Sequence, residues 1–466
     1  MDRENSDQWL SEITLETALA MMQANGVTEV LYKVLPQNAN SKNQVYLGSK
    51  DPSQFAKLPT GEMTAEISTS KRSGKQEAVF HAPLDFYWLT EEAKLAHAPH
   101  AKLIFYPQYP EARFSGFLLG CKRAPSFLWS KDKRGTEPGR ILLLGVGDDT
   151  KIIGLTLPPE APATKQILAE SEKHTSYEAF SVLPLPGQTP RDGFLTLMEA
   201  LCQIHHLNWV RSRRLNKHGE LVACESSNCN GNTLEALLGI RSNGLSKPDF
   251  MGWEVKARQV SNIDRPGSSR VTLFTPEPNL GAYKDEGIEA FVINNGYKDR
   301  NNRPDRLNVG GVYLVNGAPH HQTKMRMVMD GYDALTQSIT SPNAAVLLLD
   351  RNENVAAGWS FTKLLEHWKA KHAQAAYVPC MKSKEAPLRY RYGKDILLGV
   401  GAEFKLLLQA FHDGKVVYDP GIKLEGVSTG KPSWKKRSQF RVKSQDLAAL
   451  YQTSRIVDAC TISEAT

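Results

Sequence analysis

Three carboxylates of the segment GNTLEALLGIRSNGLSKPDFMGWEVKAR, together with the second of its two lysines, have types and spacing that are suited to chemistry. They are Glu235, Asp249, Glu254 and Lys256. Glu254 and Lys256 are two residues apart in an alternating run, so a strand would project both from one face, opposite apolar neighbours. Asp249 stands five residues before Glu254, so a bend around Gly252 is needed to bring the two carboxylates together.

Such a set is suited to metal-dependent cleavage of a phosphodiester bond. Two carboxylates at one place repel each other, and a Mg²⁺ ion relieves this repulsion while leaving coordination sites for water and a phosphate oxygen. The ion lowers the pKa of a bound water and offsets the charge that develops on phosphorus. A lysine beside it orients the attacking water and stabilises the same charge. Asp249 and Glu254 are therefore candidate metal ligands, and Lys256 is a candidate catalytic residue.

Each of these residues also fits an ordinary structural role. Glu235 follows Asn232 by three residues, which is the spacing of a capping box at the start of a helix. Asp249 follows a proline, and the two form a common turn pair. Glu254 and Lys256 could line the exposed face of a strand. The residue types alone leave both interpretations open.

The whole chain has the length and composition of a soluble protein with more than one domain. Its 466 residues exceed one ordinary core, and 41% hydrophobic and 23% charged residues are typical of globular proteins. The longest apolar runs are too short to cross a bilayer, and the N-terminus does not resemble a signal peptide, so no membrane partner is expected. Six cysteines without a dense pattern favour reduced thiols and a cytoplasmic location.

The net charge of +7 is modest, but the basic residues are clustered. Lys431 to Lys443 holds six basic residues and no acidic one. Cys121 to Arg140 holds six basic and two acidic residues interleaved with aromatic ones, and Arg211 to Lys217 forms a third cluster. One such cluster is usually a solvated face. Three of them favour a polyanionic partner such as nucleic acid.

Apolar patterns divide the sequence into two parts. Leucines at helical spacing predict a first helix that ends at Asn25, and short alternating runs from Val27 to Leu155 predict strands. Proline-rich stretches between Leu157 and Gly193 suit a domain boundary. Beyond them helical and strand-like runs alternate. We therefore predict a mainly β N-terminal domain over residues 1–190 and an α/β (α+β) domain over residues 191–466.

Several longer motifs occur in order in the second part. They are GNTLEALLGI, KPDF, WEVKA, LRYRYGKDILLGVGAEFKLLLQAFHDGKVVYDPGIKL and KKRSQFRV. With these motifs the chain from about Gly193 onwards resembles the MvaI/BcnI group of Type II restriction endonucleases, relatives of the mismatch-repair nickase MutH in the PD-(D/E)XK nuclease superfamily. The resemblance implies a restriction-endonuclease-like catalytic domain that uses Mg²⁺ to cut double-stranded DNA.

The resemblance also implies roles for individual residues. Asp249 and Glu254 would bind the metal ion, and Lys256 would serve the attacking water. Glu235 would support the metal site from an upstream helix. Contacts to bases and phosphates would come from the late basic segment, at Lys435, Lys436, Arg437 and Arg441. The family is often rich in histidine here, whereas this sequence has a tryptophan and lysines, so the recognised bases cannot be carried over.

Two tyrosines in RYRYGK, Tyr390 and Tyr392, are further candidates for contact with the duplex. Aromatic residues in a strand also fit a hydrophobic core, and that alternative stays open.

A nuclease of this family does not need the first 190 residues, so these are expected to do other work. We predict a DNA-binding effector domain, comparable in role to that of the restriction enzyme EcoRII, with cleavage stimulated by a second DNA site. Candidates for phosphate or base-edge contacts are Lys33, Asn40, Lys42, Asn43 and Gln44. The alternative is a solvated, asparagine-rich loop.

Together these observations predict a monomeric, sequence-specific endonuclease of a restriction-modification system that cuts the two DNA strands in successive events. A strand-nicking repair enzyme like MutH is one alternative, and a DNA-binding module without catalysis is another. The extra domain favours restriction, and the complete set of acids and lysine argues against the module. Cysteine and histidine spacings do not match a zinc site, and no phosphate-binding glycine motif follows a strand.

Overall fold

The computed structural model describes residues 8–37, 43–48, 55, 58–69, 76–106, 111–125, 137–147, 149–174, 176–177, 179–186, 193–216, 218–226, 228–240, 250–263, 269–299, 303, 305–371 and 374–464. The chain divides into two compact units, Met1–Asp192 and Gly193–Thr466. Within the described ranges, none of the helices has the length and hydropathy of a membrane span.

The N-terminal unit consists mainly of short strands. Its helices are α1 (Gln8–Glu12), α2 (Leu15–Ala24) and α3 (Pro162–Ala169). Its strands are β1 (Val27–Leu35), β2 (Gln44–Gly48), β3 (Thr64–Thr69), β4 (Gln76–Pro83), β5 (Asp85–Leu89), β6 (Leu95–His97), β7 (Lys102–Tyr106), β8 (Glu111–Ser115), β9 (Arg140–Gly147), β10 (Lys151–Leu157), β11 (Ser176–Tyr177) and β12 (Phe180–Leu183). They form a 7-stranded sheet, β11-β12-β1-β9-β10-β5-β6, and a 5-stranded sheet, β2-β8-β7-β4-β3.

The first predicted helix is divided in two. Thr14 has extended dihedral angles, and its Oγ1 accepts a hydrogen bond of 3.2 Å from the backbone N–H of Thr17, so it caps the start of α2. The predicted end at Asn25 is confirmed. The apolar face of α2, with Leu19 and Met22, packs into the core on the 7-stranded sheet.

The C-terminal unit alternates helices with strands. Its helices are α4 (Gly193–His206), α5 (Cys229–Leu237), α6 (Ala282–Asp285), α7 (Gly287–Asn295), α8 (Phe361–Lys371), α9 (Phe404–His412) and α10 (Ala459–Glu464). Its first strands are β13 (Val210–Arg211), β14 (Arg213–Leu215), β15 (Leu221–Ala223), β16 (Glu254–Gln259), β17 (Arg270–Phe274), β18 (Tyr297–Lys298), β19 (Arg306–Gly310), β20 (Arg326–Asp330), β21 (Tyr332–Asp333) and β22 (Ser338–Ile339). The later strands are β23 (Ala345–Leu349), β24 (Val355–Ser360), β25 (Gln374–Lys382), β26 (Arg389–Tyr392), β27 (Asp395–Val400), β28 (Val416–Tyr418), β29 (Gly421–Glu425), β30 (Ser433–Lys435), β31 (Phe440–Lys443) and β32 (Thr453–Asp458).

A 6-stranded sheet forms the centre of this unit, in the order β13-β26-β25-β27-β32 with β16 against β25. Strand β25 is antiparallel to β26 and β27 but parallel to β16. A parallel pair requires a long crossover, and the chain between β16 and β25 contains strands of several smaller sheets. Helices α4, α5 and α10 contribute to the core on one face of the central sheet, together with Val255 and Val378.

The cysteines differ from the expectation of reduced thiols. The structure joins Cys202 to Cys460 and Cys224 to Cys229, and it leaves Cys121 and Cys380 as buried thiols. The first pair links α4 to α10, at a sequence separation of 258 residues. The second pair closes a short loop at the start of α5. Folding brings the sulfurs of each pair within bonding distance, which the sequence spacing did not indicate.

Candidate active site

A tight turn precedes the strand that carries Glu254 and Lys256. Phe250 and Trp253 exchange backbone hydrogen bonds of 2.9 and 2.8 Å across it. The two central residues, Met251 and Gly252, have φ values of 45° and 89°. Positive φ at both central positions is typical of a type I′ hairpin turn, in which a glycine lowers the strain. The bend that the sequence requires around Gly252 is therefore present, immediately before Glu254.

Glu254 and Lys256 form a close ion pair on one face of β16. Lys256 Nζ donates to Glu254 Oε1 at 2.7 Å, and the two side chains are 18% and 2% exposed. The alternative of an exposed strand face is thus contradicted, because the carboxylate is enclosed. A buried carboxylate needs a partner charge, and Lys256 provides it while keeping some access to solvent.

A pair of buried tyrosines lies beside the ion pair. Tyr377 is the register partner of Lys256 on β25, and its hydroxyl lies 2.7 Å from that of Tyr451. Burial raises the pKa of Tyr377 to about 12, and the nearby charges of Lys256 and Glu254 also act on it. Burial also raises the pKa of Tyr451, so both hydroxyls are neutral at physiological pH and share a hydrogen bond beside Lys256.

Glu235 lies in α5, but it does not complete a capping box. The helix begins at Cys229, so Asn232 is inside it and the capping interpretation fails. Asn230 Nδ2 donates to the backbone oxygen of Ala257 at 3.5 Å, which ties α5 to β16. The helix that carries Glu235 is therefore held against the strand that carries Glu254 and Lys256.

Asp249 lies outside the residues that the structure describes, so its predicted role as a metal ligand is not tested. Among the described residues, one group of side chains that could bind a metal ion lies close together, at Cys202, His206 and Cys460. Two of these sulfurs form a disulfide, so they are not the thiolates that a zinc ion binds.

The two candidate tyrosines of β26 are core residues. Tyr390 is 2% exposed and Tyr392 is fully buried, and both belong to the cluster that packs against α4 and α5. The hydroxyl of Tyr392 donates to the backbone oxygen of Asn230 at 2.7 Å. The expectation of contact with the duplex is corrected accordingly, because rings enclosed in a core do not reach DNA at the surface.

The late basic segment is divided between exposed and structural residues. Lys435 is exposed on β30, beside Trp434, which is 48% exposed. Arg441 instead binds Asp419 through Nη1 at 2.7 Å and the backbone oxygen of Arg270 through Nη2 at 2.9 Å. Its position in β31 therefore indicates a structural role.

The other two predicted residues of this segment also contact their own unit. Lys436 lies 3.9 Å from Glu277, and the side chain of Arg437 packs against Gly421. Lys436 remains a candidate for contact with DNA, since its ion pair is long and its side chain is half-exposed. Contact of Arg437 with DNA stays a prediction.

The structure adds basic residues that the sequence did not single out. Lys423 on β29 is paired across the ladder with Lys435. Partial burial, followed by the charges of Arg306 and Lys435, lowers the pKa of Lys423, and Arg303 contributes in the same direction. We call three of these residues the β29 basic patch: Arg303, Lys423 and Lys435. Arg306 is 10% exposed and pairs with Asp299 and Glu425, which indicates a structural role. The sequence singled out Lys435 alone, because the three residues of the patch lie in separate segments.

The exposed and structural residues of this segment are expected to respond differently to loss of charge. Lys435→Met should leave the free energy of unfolding unchanged and lower the slope of log affinity against log salt by about 0.9, the value for one phosphate contact. Arg441→Met should keep the slope but lower the free energy of unfolding by about 1–3 kcal/mol, because it removes charge-assisted hydrogen bonds. Denaturant unfolding and DNA binding over a salt series measure both. A stable Arg441→Met variant with a reduced slope would show that Arg441 contacts DNA.

The N-terminal candidate residues are engaged within their own unit. Lys33 Nζ donates to the backbone oxygen of Ala179 at 3.2 Å, and burial lowers its pKa. Gln44 bonds to Ser115 at 3.2 Å and accepts from Arg113 at 3.1 Å. Asn43 is also described and makes contacts of its own. Two candidates, Asn40 and Lys42, lie outside the described residues. Contact with DNA by this group stays a prediction.

The family model that matches this chain assigns it to the site-specific endonucleases of DNA, of Type II. The chain belongs to the MvaI/BcnI restriction endonuclease family, whose model matches residues 198–451. The family resemblance of the sequence and its mixed α/β class are thereby confirmed.

The solved structures that are similar to this chain include two of restriction endonuclease MvaI. The complex of restriction endonuclease MvaI with its cognate DNA substrate is 18% identical, with 58% of this chain and 100% of that chain covered and a TM-score of 0.43. MvaI in the absence of DNA is also 18% identical, with 58% and 99% covered and a TM-score of 0.32. A comparison with curated proteins finds no match.

Proposed function

We propose that this chain is a Mg²⁺-dependent endonuclease of the PD-(D/E)XK type that hydrolyses double-stranded DNA at the site formed around Glu254 and Lys256. The observation that carries this proposal is the enclosed Glu254 carboxylate, bound to Lys256 at 2.7 Å directly after a tight turn. An ordinary strand rarely encloses a carboxylate, whereas active sites enclose charged groups at the cost of stability.

The donor set fits a hard divalent cation. Glu254 provides carboxylate oxygens, which Mg²⁺ prefers, and Asp249 would provide the second carboxylate. The turn at Phe250–Trp253 supports this part of the proposal, because it begins one residue after Asp249 and ends one residue before Glu254. When bound, the ion would activate water as a nucleophile and offset charge on the phosphate.

Lys256 would hold the attacking water and donate to the phosphate oxygens. Its ammonium has three donors, one of which Glu254 accepts, and the side chain is 18% exposed, so water and substrate would reach it from the solvent side. The backbone pairing of β16 with β25 fixes the position of Lys256 in the sheet. Glu235 would act from α5 through water, because the helix is tied to β16.

DNA would be held by the β29 basic patch and by Lys436 and Arg437. With one set of catalytic residues in the chain, we propose that a monomer cuts the two strands in successive events. The N-terminal unit would act as an effector domain that binds a second DNA site through residues in the region of Lys33 and Gln44.

Supercoiled plasmid tests this proposal. With Mg²⁺ we expect nicked circles first and then linear fragments with one sequence at their ends, and no cleavage with EDTA. Asp249→Ala should be inactive under both conditions. Gel analysis over time and sequencing of the ends measure the outcome.

Other outcomes would contradict parts of the proposal. Cleavage in EDTA would contradict the role of a metal ion. Nicked circles that never become linear would contradict double-strand cleavage and favour a nicking repair enzyme.

A further inference from the structure

A row of arginines extends across the central sheet from the proposed active site. Successive side chains of a strand point to opposite faces, so Glu254, Lys256 and Arg258 share one face of β16. The next residues of this face lie on β25, where Pro379 is the register partner of Arg258.

The register of the neighbouring strand places a second arginine on the same face. Met381 shares a face with Pro379, and its register partner on β26 is Arg391. Two residues before Arg391 stands Arg389, which is paired with Arg211 on the edge strand β13. We call these four residues the arginine row: Arg258, Arg391, Arg389 and Arg211.

The opposite face of the same strands is filled by the core. Val255, Val378 and Tyr390 alternate along their strands with residues of the face that carries the arginine row. All three belong to the buried cluster that packs against α4 and α5. The arginine row therefore lies on the face that also carries the ion pair of Glu254 and Lys256.

Arg258 is enclosed and Arg391 is half-buried, and neither forms an ion pair with a carboxylate among the residues that the structure describes. Arg258 is 5% exposed, and its Nε makes no hydrogen bond within that part of the chain. Burial lowers the pKa of Arg258. Arg391 is half-buried, and its Nε likewise has no partner among the described residues.

An enclosed guanidinium is costly unless an anion or acceptor completes its hydrogen bonds. Buried polar groups in folded proteins almost always have partners, so two arginines on one face whose Nε has no partner among the described residues need a reason. A phosphate group offers acceptors that match the planar fork of arginine and supplies the missing charge.

We propose that Arg258 and Arg391 bind backbone phosphates of the DNA strand that passes Lys256, and that Arg389 and Arg211 continue this contact to the edge of the sheet. This inference rests on the proposed function, because the ion pair of Glu254 and Lys256 defines where the scissile phosphate lies. It adds a backbone track on the central sheet, separate from the β29 basic patch.

Neutral substitutions separate this role from a structural one. Arg258→Met and Arg391→Met keep an extended side chain without charge. Arg455→Met is the matched control, because Arg455 is exposed on β32 of the same sheet but pairs with the core residue Leu398 and so lies on the opposite face. Arg258→Met should melt at the same temperature as the wild type or higher, since it removes an enclosed charge that forms no ion pair among the described residues.

Binding in EDTA to a DNA fragment that spans one sequenced cleavage site is measured over a salt series. Each phosphate contact contributes about 0.9 to the slope of log affinity against log salt. We expect Arg258→Met and Arg391→Met each to reduce the magnitude of this slope by about 0.9, and the double variant to reduce it by about twice as much. Arg258→Lys should keep the wild-type slope because it keeps the charge, and Arg455→Met should also keep it.

The outcomes are distinct from those of the proposed function. Unchanged slopes in Arg258→Met and Arg391→Met, with Glu254→Gln inactive, would overturn the arginine row alone. Reduced slopes with a fully active Glu254→Gln would support the row as a DNA surface and overturn the proposed active site. A drop in melting temperature of Arg258→Met without a change of slope would assign Arg258 to folding and overturn its role in binding.

Discussion

Replacement of Glu254 by glutamine is expected to lower the rate of DNA cleavage by more than about 100-fold, because loss of even a supporting group at a metal site costs about 10–100-fold. The amide keeps the size of the side chain and still accepts a hydrogen bond from Lys256, but it lacks the negative charge that a divalent cation requires. The rate is measured under single-turnover conditions with excess Mg²⁺.

Glu199→Gln is the matched control for this substitution. Glu199 is exposed on α4 of the same unit, so its charge is solvated and its loss should leave cleavage unchanged. A Glu254→Gln variant with the rate of this control would show that catalysis takes place elsewhere in the molecule.

Replacement of Lys256 by methionine is expected to slow cleavage by about 10²–10⁴-fold, the usual contribution of a group that assists proton transfer. It should also lower the free energy of unfolding by the order of 3 kcal/mol, because it removes the charge that balances an enclosed carboxylate. Glu254→Gln should lower it less, since the lysine it leaves is 18% exposed. Denaturant unfolding without metal ion compares the two variants.

The double variant Glu254→Gln/Lys256→Met separates catalysis from stability. It removes both charges, so it should regain part of the stability that Lys256→Met loses while staying inactive. If both single variants lose the same free energy of unfolding and the double variant loses the sum of the two, a direct ion pair is contradicted. Recovery of cleavage in the double variant would contradict a catalytic role for either residue.

The local features of the site could be predicted from the sequence. Alternation placed Glu254 and Lys256 on one face, and a glycine before them indicated a turn, which is a feature of only four residues. The enclosure of Glu254 could not be predicted in this way, because it depends on β25 and on Tyr451, which lie far along the chain.

The errors concern contacts between distant segments. Tyr390 and Tyr392 alternate with arginines, and the sequence does not show which of the two faces the helices α4 and α5 cover. The arginine row could not be predicted for the same reason. Its members share one face only because β26 pairs in a particular register with β25 and β13. Lys423 becomes part of a basic patch only when β29 pairs with β30.

The capping interpretation of Glu235 failed for a related reason. It assumed that α5 starts at Asn232, but the helix starts at Cys229, whose disulfide to Cys224 fixes the preceding loop. A disulfide depends on the folded position of both sulfurs, so spacing alone did not reveal it.

The most direct test of the central claim is a single-turnover comparison of cleavage by wild type, Asp249→Asn, Glu254→Gln and the variant that carries both changes. If the two carboxylates bind one metal ion, each single change should remove nearly all of the activity, and the double variant should be no worse than the poorer single variant. Losses that multiply in the double variant, or a single variant with the wild-type rate, would contradict a shared metal site at Asp249 and Glu254.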